Sequence, residues 1–379
     1  MSFSIGIIGL PNVGKSTLFK ALTKIPVNIS NYPFCTIEPN KGVVKVPDER
    51  LEKLADFFHS RKIIPTIVEF VDIAGLIKGA SLGEGLGNQF LSHIRETKAI
   101  VHIVRCFEKE DIVHVEKKID PCRDIDTVNT ELILKDLETV NKRLENIAKD
   151  IKTKDKEAIF EETILLPLKT HLNQDRLANQ FPQNEPGYAG QRYVEGFGKA
   201  RALRQGEEKT KQIISSLQLL TNKPTIYLLN SDKIEISKEL LEKISAYGGL
   251  HASYILMNLK EELETSELLA EEKKELNIEK TKIDDLIKMA YKILDFITFF
   301  TTGEDETRAW TIKRGTKAPQ AGGVIHSDFE TKFIKAEVIE WNKLLTAKGF
   351  VNARERGLIR TEGKNYVVKD GDVIEIKHN

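Results

Sequence analysis

The chain has 379 residues, of which 40% are hydrophobic and 30% charged, a composition typical of a folded globular protein rather than a disordered one. Its 57 Lys and Arg residues balance 57 Asp and Glu residues, so no overall charge attracts it to nucleic acid or to a membrane surface. Three scattered cysteines, Cys35, Cys106 and Cys122, exclude a disulfide framework and favour reduced thiols. We expect about two or three domains, no membrane segment and a cytoplasmic location.

The first predicted element is a short buried strand at residues 5–8, followed by Gly-Leu-Pro-Asn-Val-Gly-Lys-Ser at residues 9–16. This is the complete phosphate-binding pattern G-x-x-x-x-G-K-[ST], and the residues after it have helical apolar spacing. Strand, glycine loop and helix in this order aim backbone N–H groups at one anion. We therefore predict that the chain binds a nucleoside triphosphate through Asn12, Val13, Gly14, Lys15, Ser16 and Thr17. Lys15 would reach the β- and γ-phosphates, and the Ser16 hydroxyl a magnesium ion.

Phosphoryl transfer needs three things besides the loop: a second carboxylate on the magnesium side, a residue ordered by the γ-phosphate, and a group that orients water. Thr36 lies between the first helix and the next strand, where its hydroxyl can reach magnesium. Asp72 ends a predicted strand at residues 67–71 and begins Asp-Ile-Ala-Gly, a D-x-x-G pattern. There the aspartate reaches the metal through its shell, and Gly75 offers a backbone N–H to the γ-phosphate. The sequence thus predicts Ser16, Thr36 and Asp72 as the magnesium-binding residues.

Further strand-like runs at residues 100–104 and 225–229, with helical patterns between the strands, predict a parallel sheet covered on both faces.

From Val128 to Ile151 apolar residues recur every three or four positions, forming a narrow stripe closer to a coiled-coil seam than to a core helix. Residues 160–172 predict a second helix folding back on the first, residues 181–198 a loop, and residues 199–220 a helix returning to the sheet. We interpret residues 128–205 as an inserted helical arm, whose stripe either pairs with itself or binds a partner.

The residue pattern of the chain changes from helical to β-type at residue 296. Short β-type runs at 310–312, 335–338, 366–368 and 373–376 alternate with turns, among them Lys-Asp-Gly-Asp at 369–372. They predict a small mixed β domain. Residues 296–379 carry 14 basic and 12 acidic side chains, which is not the signature of a general nucleic-acid binder. Lys313, Arg314 and Lys317 form either a local phosphate-contacting patch or a solvated face.

Longer motifs occupy residues 9–19, 32–40, 70–81, 83–91, 95–97, 105–108, 308–312, 315–321 and 325–330. Together they resemble the YchF, or Obg-like ATPase, family of P-loop NTPases over nearly the whole chain. The resemblance implies an α/β build with a Ras-like P-loop domain at 1–127 and 206–295, a helical coiled-coil arm at 128–205, and a C-terminal TGS domain of the ubiquitin-like β-grasp type at 296–379. It also implies Mg²⁺-dependent ATP hydrolysis and a ribosome partner, on the large subunit and with RNA. We expect a monomer and no membrane partner.

The choice of base can be argued from hydrogen bonding. GTPases of this fold recognise guanine with Asn-Lys-x-Asp, whose aspartate accepts from the guanine N1 and N2 donors. This chain has Asn230-Ser231-Asp232-Lys233, and a lysine cannot accept those bonds. Lys233 also departs from the acidic residue usual in the family. We predict Asn230 and Ser231 as base-binding residues, residues 257–259 in place of the usual Ser-Ala segment, and ATP preference; a GTPase with atypical guanine recognition is the alternative.

Ras-like GTPases orient the attacking water with a glutamine after D-x-x-G, and here that position is Leu76. Hydrolysis should therefore be slow or rely on another group. The resemblance points to His114, although a lone histidine is more often an ordinary surface residue. The predicted catalytic residues are His114, Lys15 and Gly75, with nucleotide state ordering residues 33–40 and 72–90. A non-hydrolysing, ATP-gated scaffold is the alternative.

Overall fold

The structure, a computed structural model, describes residues 4–24, 40–73, 86–108, 119–182, 199–233, 235–248, 253–276, 278 and 280–379. The strands are β1 Ser4–Ile8, β2 Lys41–Lys45, β3 Lys62–Ile64, β4 Ile67–Asp72, β5 Ala99–Arg105, β6 Thr225–Asn230, β7 Ser253–Met257, β8 Phe296–Thr301, β9 Glu306–Lys313, β10 Phe333–Glu340, β11 Arg360–Glu362 and β12 Asp372–His378. The helices are α1 Lys15–Thr23, α2 Glu49–Phe58, α3 Leu86–Glu96, α4 Pro121–Lys152, α5 Lys156–Leu172, α6 Lys199–Ser216, α7 Lys238–Gly248, α8 Leu259–Glu267, α9 Ala270–Glu275, α10 Lys282–Ile293, α11 Ala318–Ile325, α12 Ser327–Thr331, α13 Trp341–Thr346 and α14 Phe350–Glu355.

The described residues form two compact units. We call the part within 4–19 and 71–263 the parallel-sheet unit, and the part within 20–70 and 264–379 the mixed-sheet unit. The domain boundaries expected from the sequence stay a prediction. No described helix is both long and apolar enough to cross a membrane.

In the parallel-sheet unit, β1, β5, β6 and β7 are neighbours in that order, and every pairing is parallel. All residues of β5 are buried, because helices cover both faces of such a sheet. The predicted strands at 5–8, 100–104 and 225–229 are confirmed, whereas β7 was not predicted. Since the carboxyl ends of parallel strands meet at one edge, the segments that follow β1, β5, β6 and β7 lie together there.

Helices α4, α5 and α6 occupy the region predicted as the arm and extend beyond both of its predicted ends. Helix α4 begins before the predicted stripe because the Asp120 side chain accepts the Arg123 N–H at 3.0 Å and Pro121 occupies the first turn. Stripe residues of α4, among them Val140 and Ile147, lie in one buried cluster with Leu165 and Leu168 of α5. The stripe from Ile133 to Ile151 is therefore packed against neighbouring helices of the chain itself. The helix predicted to reach residue 220 ends at Ser216, and a separate 3-10 turn spans Leu220–Asn222.

The mixed-sheet unit contains a six-stranded sheet in the order β11-β10-β12-β8-β9-β3. Strand β3 comes from a distant part of the chain and pairs in parallel with β9 from Glu306 to Arg308. Leu51 and Leu54 of α2 also pack in one core cluster with Phe300. The C-terminal β region therefore shares its sheet and core with residues 49–64, a partnership that the sequence did not indicate.

One predicted β run was wrong. Val367 makes only an isolated bridge with Lys317, and residues 366–368 are not a strand. A turn, in which the Tyr366 N–H donates to the Gly363 carbonyl at 3.1 Å, comes directly before this bridge. The strands that pair with β10 are β11 and β12.

Candidate nucleotide-binding site

The predicted phosphate loop joins β1 to α1. Gly14 has a φ of +111°, a left-handed conformation that favours glycine, and a Cβ there would lie 2.8 Å from Asn230 Nδ2. The Leu18 N–H donates to the Gly14 carbonyl at 2.9 Å, which is the first bond of the helical ladder. The N–H groups of the first turn have no acceptor within a helix, so this end of α1 suits an anion.

Lys15 is held over the loop that contains it. Its side chain is 9% exposed, and Nζ donates to the carbonyls of Gly9 at 3.1 Å and Leu10 at 2.8 Å. Burial lowers the pKa of Lys15 to about 8, while the Asp72 carboxylate acts in the opposite direction. Burial likewise raises the pKa of Asp72, and the Lys15 ammonium opposes that rise. The structure thus brings the loop lysine and the D-x-x-G aspartate close enough to influence each other.

Asp72 reaches this position because β4 ends beside β1. The Ile73 N–H donates to the Ile7 carbonyl at 3.3 Å, which fixes the end of the strand. Asp72 is half-buried, and Ser16, in the first turn of α1, is exposed. A hydroxyl and a carboxylate are oxygen donors of the kind Mg²⁺ accepts while keeping waters and phosphate oxygens as its other ligands. Among the described residues no group of three or more His, Cys, Asp and Glu side chains could hold a metal alone, so these donors suit a metal bound together with a triphosphate.

Four residues named from the sequence, Thr36, Gly75, Leu76 and His114, lie outside the described residues. Most of the two segments expected to respond to nucleotide, 33–40 and 72–90, lie outside them as well. The roles assigned to these residues stay predictions.

A cleft of about 690 Å³ opens beside the loop. Its described lining consists of Asn12, Gly14, Lys15, Ser16, Thr17, Phe107, Glu108, Asn230, Asp232, Asn258, Leu259, Lys260 and Leu263. The predicted residues Val13 and Ser231 are buried, at 1% and 6% exposure, and do not belong to this lining. Loop residues and residues that follow three other strands therefore meet around one space, as the parallel topology requires.

Asn230 connects the phosphate loop to the segment that follows β7. Its Nδ2 donates to the Val13 carbonyl at 2.9 Å, and its Oδ1 accepts the Leu259 N–H at 3.1 Å. Next to it, the Ser231 N–H donates to the Met257 carbonyl at 3.1 Å. Asn230 thus holds the phosphate loop and the 257–259 segment together, a role that the sequence did not indicate. Its contact with a base stays a prediction.

The lining contains residues for which sequence reasoning assigned no role: Phe107, Glu108, Lys260 and Leu263. Phe107 and Glu108 belong to a motif that carried the family resemblance, and that motif was the only signal for them. Lys260 and Leu263 lie in α8, where no pattern pointed to a site. Asp232 lines the cleft, whereas Lys233 is not part of its described lining.

Comparisons with known proteins identify the family to which the chain belongs. A family model described as 50S ribosome-binding GTPase matches residues 4–154, and the model YchF-GTPase_C, described as a protein of unknown function, matches residues 296–379. The chain is 47% identical to the Ribosome-binding ATPase YchF of Bacillus subtilis and 44% identical to that of Escherichia coli O157:H7, with 100% of each chain covered. The solved structure of the Schizosaccharomyces pombe YchF GTPase is similar with a TM-score of 0.80 and 36% identity, over 99% of this chain and 98% of that one. The resemblance inferred from the motifs is confirmed, and the chain belongs to the YchF family of P-loop NTPases.

Proposed function

We propose that the chain binds ATP with Mg²⁺, hydrolyses it slowly to ADP and phosphate, and acts as a nucleotide-dependent switch on the ribosome. The observation that carries the nucleotide part is the position of Lys15, buried beside Asp72 and held by the carbonyls of its own loop at the cleft. The bacterial relatives named Ribosome-binding ATPase YchF support both ATP and the ribosome. A large-subunit contact that includes RNA, a cytoplasmic location and a monomeric state belong to the same proposal.

The chemistry asked of the chain is positioning and charge stabilisation. A lysine ammonium has three donors, and Lys15 directs two of them to the carbonyls of Gly9 and Leu10, so a third can reach a phosphate oxygen without disturbing the loop. Ser16 and Asp72 would hold the metal, together with Thr36, which was predicted from its position between the first helix and the next strand. When bound, Mg²⁺ neutralises charge on the β- and γ-phosphate oxygens. Gly75 would add a backbone N–H to the γ-phosphate.

ATP preference is supported by the broken guanine motif, in which Lys233 replaces an acceptor. A guanine-recognising GTPase is the second candidate, because Asp232 lines the cleft and its carboxylate can accept from guanine donors as well as from adenine N6. The names of relatives also divide, with ATPase for the bacterial proteins and GTPase for the Schizosaccharomyces pombe structure.

One experiment separates these functions: affinity and turnover of the purified full chain with ATP and with GTP, in Mg²⁺, with and without ribosomes. We expect a lower Kd for ATP, slow turnover, and ribosome binding that differs between ATP and ADP. Lys15→Ala should abolish triphosphate binding, whereas Lys20→Ala, an exposed lysine of the same helix, should not. A lower Kd for GTP would support the second candidate, and Lys233→Asp alone should not create a good GTP binder.

Hydrolysis distinguishes an enzyme from an ATP-gated scaffold. Leu76 cannot orient water, so the proposal assigns that role to His114. His114→Ala should lower turnover by about 10²-fold or more while ATP affinity stays nearly unchanged, because a water-orienting group acts on the chemical step. A wild-type rate no higher than that of Lys15→Ala would favour the scaffold. A measurable wild-type rate unchanged in His114→Ala would remove this histidine from the mechanism.

A further inference from the structure

Phe107 is the one aromatic residue in the described lining of the cleft. It follows β5 by two residues and shares the base end of the space with the apolar side chains of Leu259 and Leu263. Purine bases stack on aromatic rings, and such contacts strengthen binding without selecting between bases. Phe107 is therefore a suitable wall for a nucleobase, provided that something keeps its ring in place.

Arg105 makes two contacts that keep it there. Its Nε donates to the Phe107 carbonyl at 3.2 Å, and its guanidinium carbon lies 4.6 Å from the centre of the Phe107 ring. One side chain thus contacts both the backbone and the ring of the same residue. A planar guanidinium can stack on an aromatic face, which the ammonium of lysine cannot do.

The guanidinium of Arg105 is itself buried. Arg105 is 1% exposed. Burial lowers the pKa of Arg105, and the charge of Asp124, which also forms an ion pair with Arg123 at 3.8 Å, acts in the opposite direction. Asp124 lies in the first turn of α4. The next residue after Arg105 is fixed as well, since the Cys106 N–H donates to the Asn230 carbonyl at 2.8 Å. The segment carrying Phe107 is thereby attached to β6, whose Asn230 also holds the phosphate loop.

We propose that Arg105 is a positioning residue for nucleotide binding: it fixes Phe107 as one wall of the slot for a purine base. The inference rests on the proposed function and deepens it, because it concerns the base end of the same site. It is independent of the choice between adenine and guanine, since both present a flat face to the ring.

The test compares two ligands on the full chain in Mg²⁺: ATP, and inorganic tripolyphosphate, which has no base. In Arg105→Met and Arg105→Lys we expect the Kd for ATP to rise about tenfold, as for loss of one stacking contact. The Kd for tripolyphosphate should stay the same, and kcat at saturating ATP should change by less than about twofold, because the phosphate-binding residues are untouched. Phe107→Leu leaves the buried Arg105 side chain unchanged and should give the same ATP-specific loss, even if the Arg105 variants fold poorly.

Arg143→Met is the matched control, because it removes an arginine that pairs with Glu161 in the arm, at 2.6 Å and away from the cleft. It should leave both Kd values unchanged. The inference is overturned if Phe107→Leu or a folded Arg105→Lys binds ATP as tightly as the wild type, or if both ligands weaken in parallel. A wild type that binds tripolyphosphate as tightly as ATP would overturn it while leaving the phosphate site intact. A wild type that binds neither ligand would refute the proposed function and this inference together.

Discussion

The side-chain amide of Asn230 donates to the Val13 carbonyl at 2.9 Å and so joins the end of β6 to the phosphate loop. The same amide accepts the Leu259 N–H at 3.1 Å, which places the segment after β7 in the same clamp. Gly14 beside it leaves no space for a Cβ. One side chain therefore ties the phosphate loop to the segment that follows β7.

Asn230→Ala should weaken both stability and ATP binding. It leaves the Val13 carbonyl and the Leu259 N–H without their partner, which costs about 1–3 kcal/mol of unfolding free energy. We expect the Kd for ATP to rise about tenfold as the two segments separate. Urea unfolding and equilibrium binding measure the two effects. Asn173→Ala, at the exposed end of α5, is the control and should change neither. Wild-type affinity in Asn230→Ala would show that the clamp is not needed.

ATP affinity should fall as pH rises above about 8. The pKa of Lys15 is lowered by burial from 10.5 to about 8 in the folded protein, and a bound triphosphate would raise it again. Binding then takes up a proton above pH 8, so affinity decreases with pH there. The effect of pH on stability has the opposite sign. Between pH 8 and 10.5 the unfolded chain binds more protons at Lys15 than the folded protein does, so the contribution of Lys15 to the unfolding free energy rises with pH.

Calorimetric titrations of ATP in buffers of different ionisation enthalpy, at pH 7 and pH 8.5, measure the proton uptake directly. We expect uptake at pH 8.5 and little at pH 7. Lys15→Arg keeps the positive charge at every accessible pH, so the uptake should disappear in that variant even if its affinity is lower. Equal proton uptake in both proteins would assign it to a different group.

The parts of the fold that sequence alone predicted are those encoded locally. The phosphate loop is a contiguous motif, and β1, β5 and β6 are continuous apolar runs because both faces of the sheet are covered. Strand β2 was missed because its buried residues alternate with more exposed ones and give no such run. Strand β7 was missed although residues 254–257 are all hydrophobic.

Contacts between distant segments have no local pattern. The pairing of β3 with β9 joins residues far apart in the chain, and nothing near Lys62–Ile64 indicates its partner. The site shows the same limit. Lys15 could be predicted from its motif, whereas Phe107 lines the cleft only because the segments after β5 and β7 meet at one edge of the sheet.

A second prediction that depends on pH concerns the contribution of Asp136 to the unfolding free energy. This carboxylate in α4 is fully buried and accepts the N–H groups of Leu220 at 2.7 Å and Thr221 at 2.8 Å, together with the Thr221 hydroxyl at 2.6 Å. Asp136→Ala leaves three donors unpaired and should lower the unfolding free energy by about 3 kcal/mol at neutral pH. Asp150→Ala, exposed in the same helix, should have almost no effect in the same urea titration.

The loss caused by Asp136→Ala should be larger at pH 5 than at pH 7. Burial raises the pKa of Asp136 from 3.8 to about 6, so between these values the folded protein binds more protons than the unfolded chain. The contribution of this group to stability therefore falls as pH rises through that window, and the variant lacks that dependence. A difference between wild type and variant that is constant from pH 5 to pH 7 would contradict the assignment.

Leu54→Ala tests whether α2 is part of the C-terminal core. Leu54 is 0% exposed and packs in one cluster with Phe300 and Val373, and Trp341 packs against that cluster. Removing its side chain leaves a cavity and should cost about 2–5 kcal/mol of unfolding free energy. The two tryptophans of the chain, Trp310 and Trp341, both belong to the mixed-sheet unit, so intrinsic fluorescence during urea unfolding reports on that unit. We expect the fluorescence transition to move to lower urea concentration in Leu54→Ala.

Leu269→Ala is the control, because it removes a leucine that is 67% exposed in the same unit. It should change the unfolding free energy by less than about 0.5 kcal/mol. If the two variants had the same transition, residues 49–58 would not support the C-terminal sheet, and the predicted C-terminal domain would be independent of them.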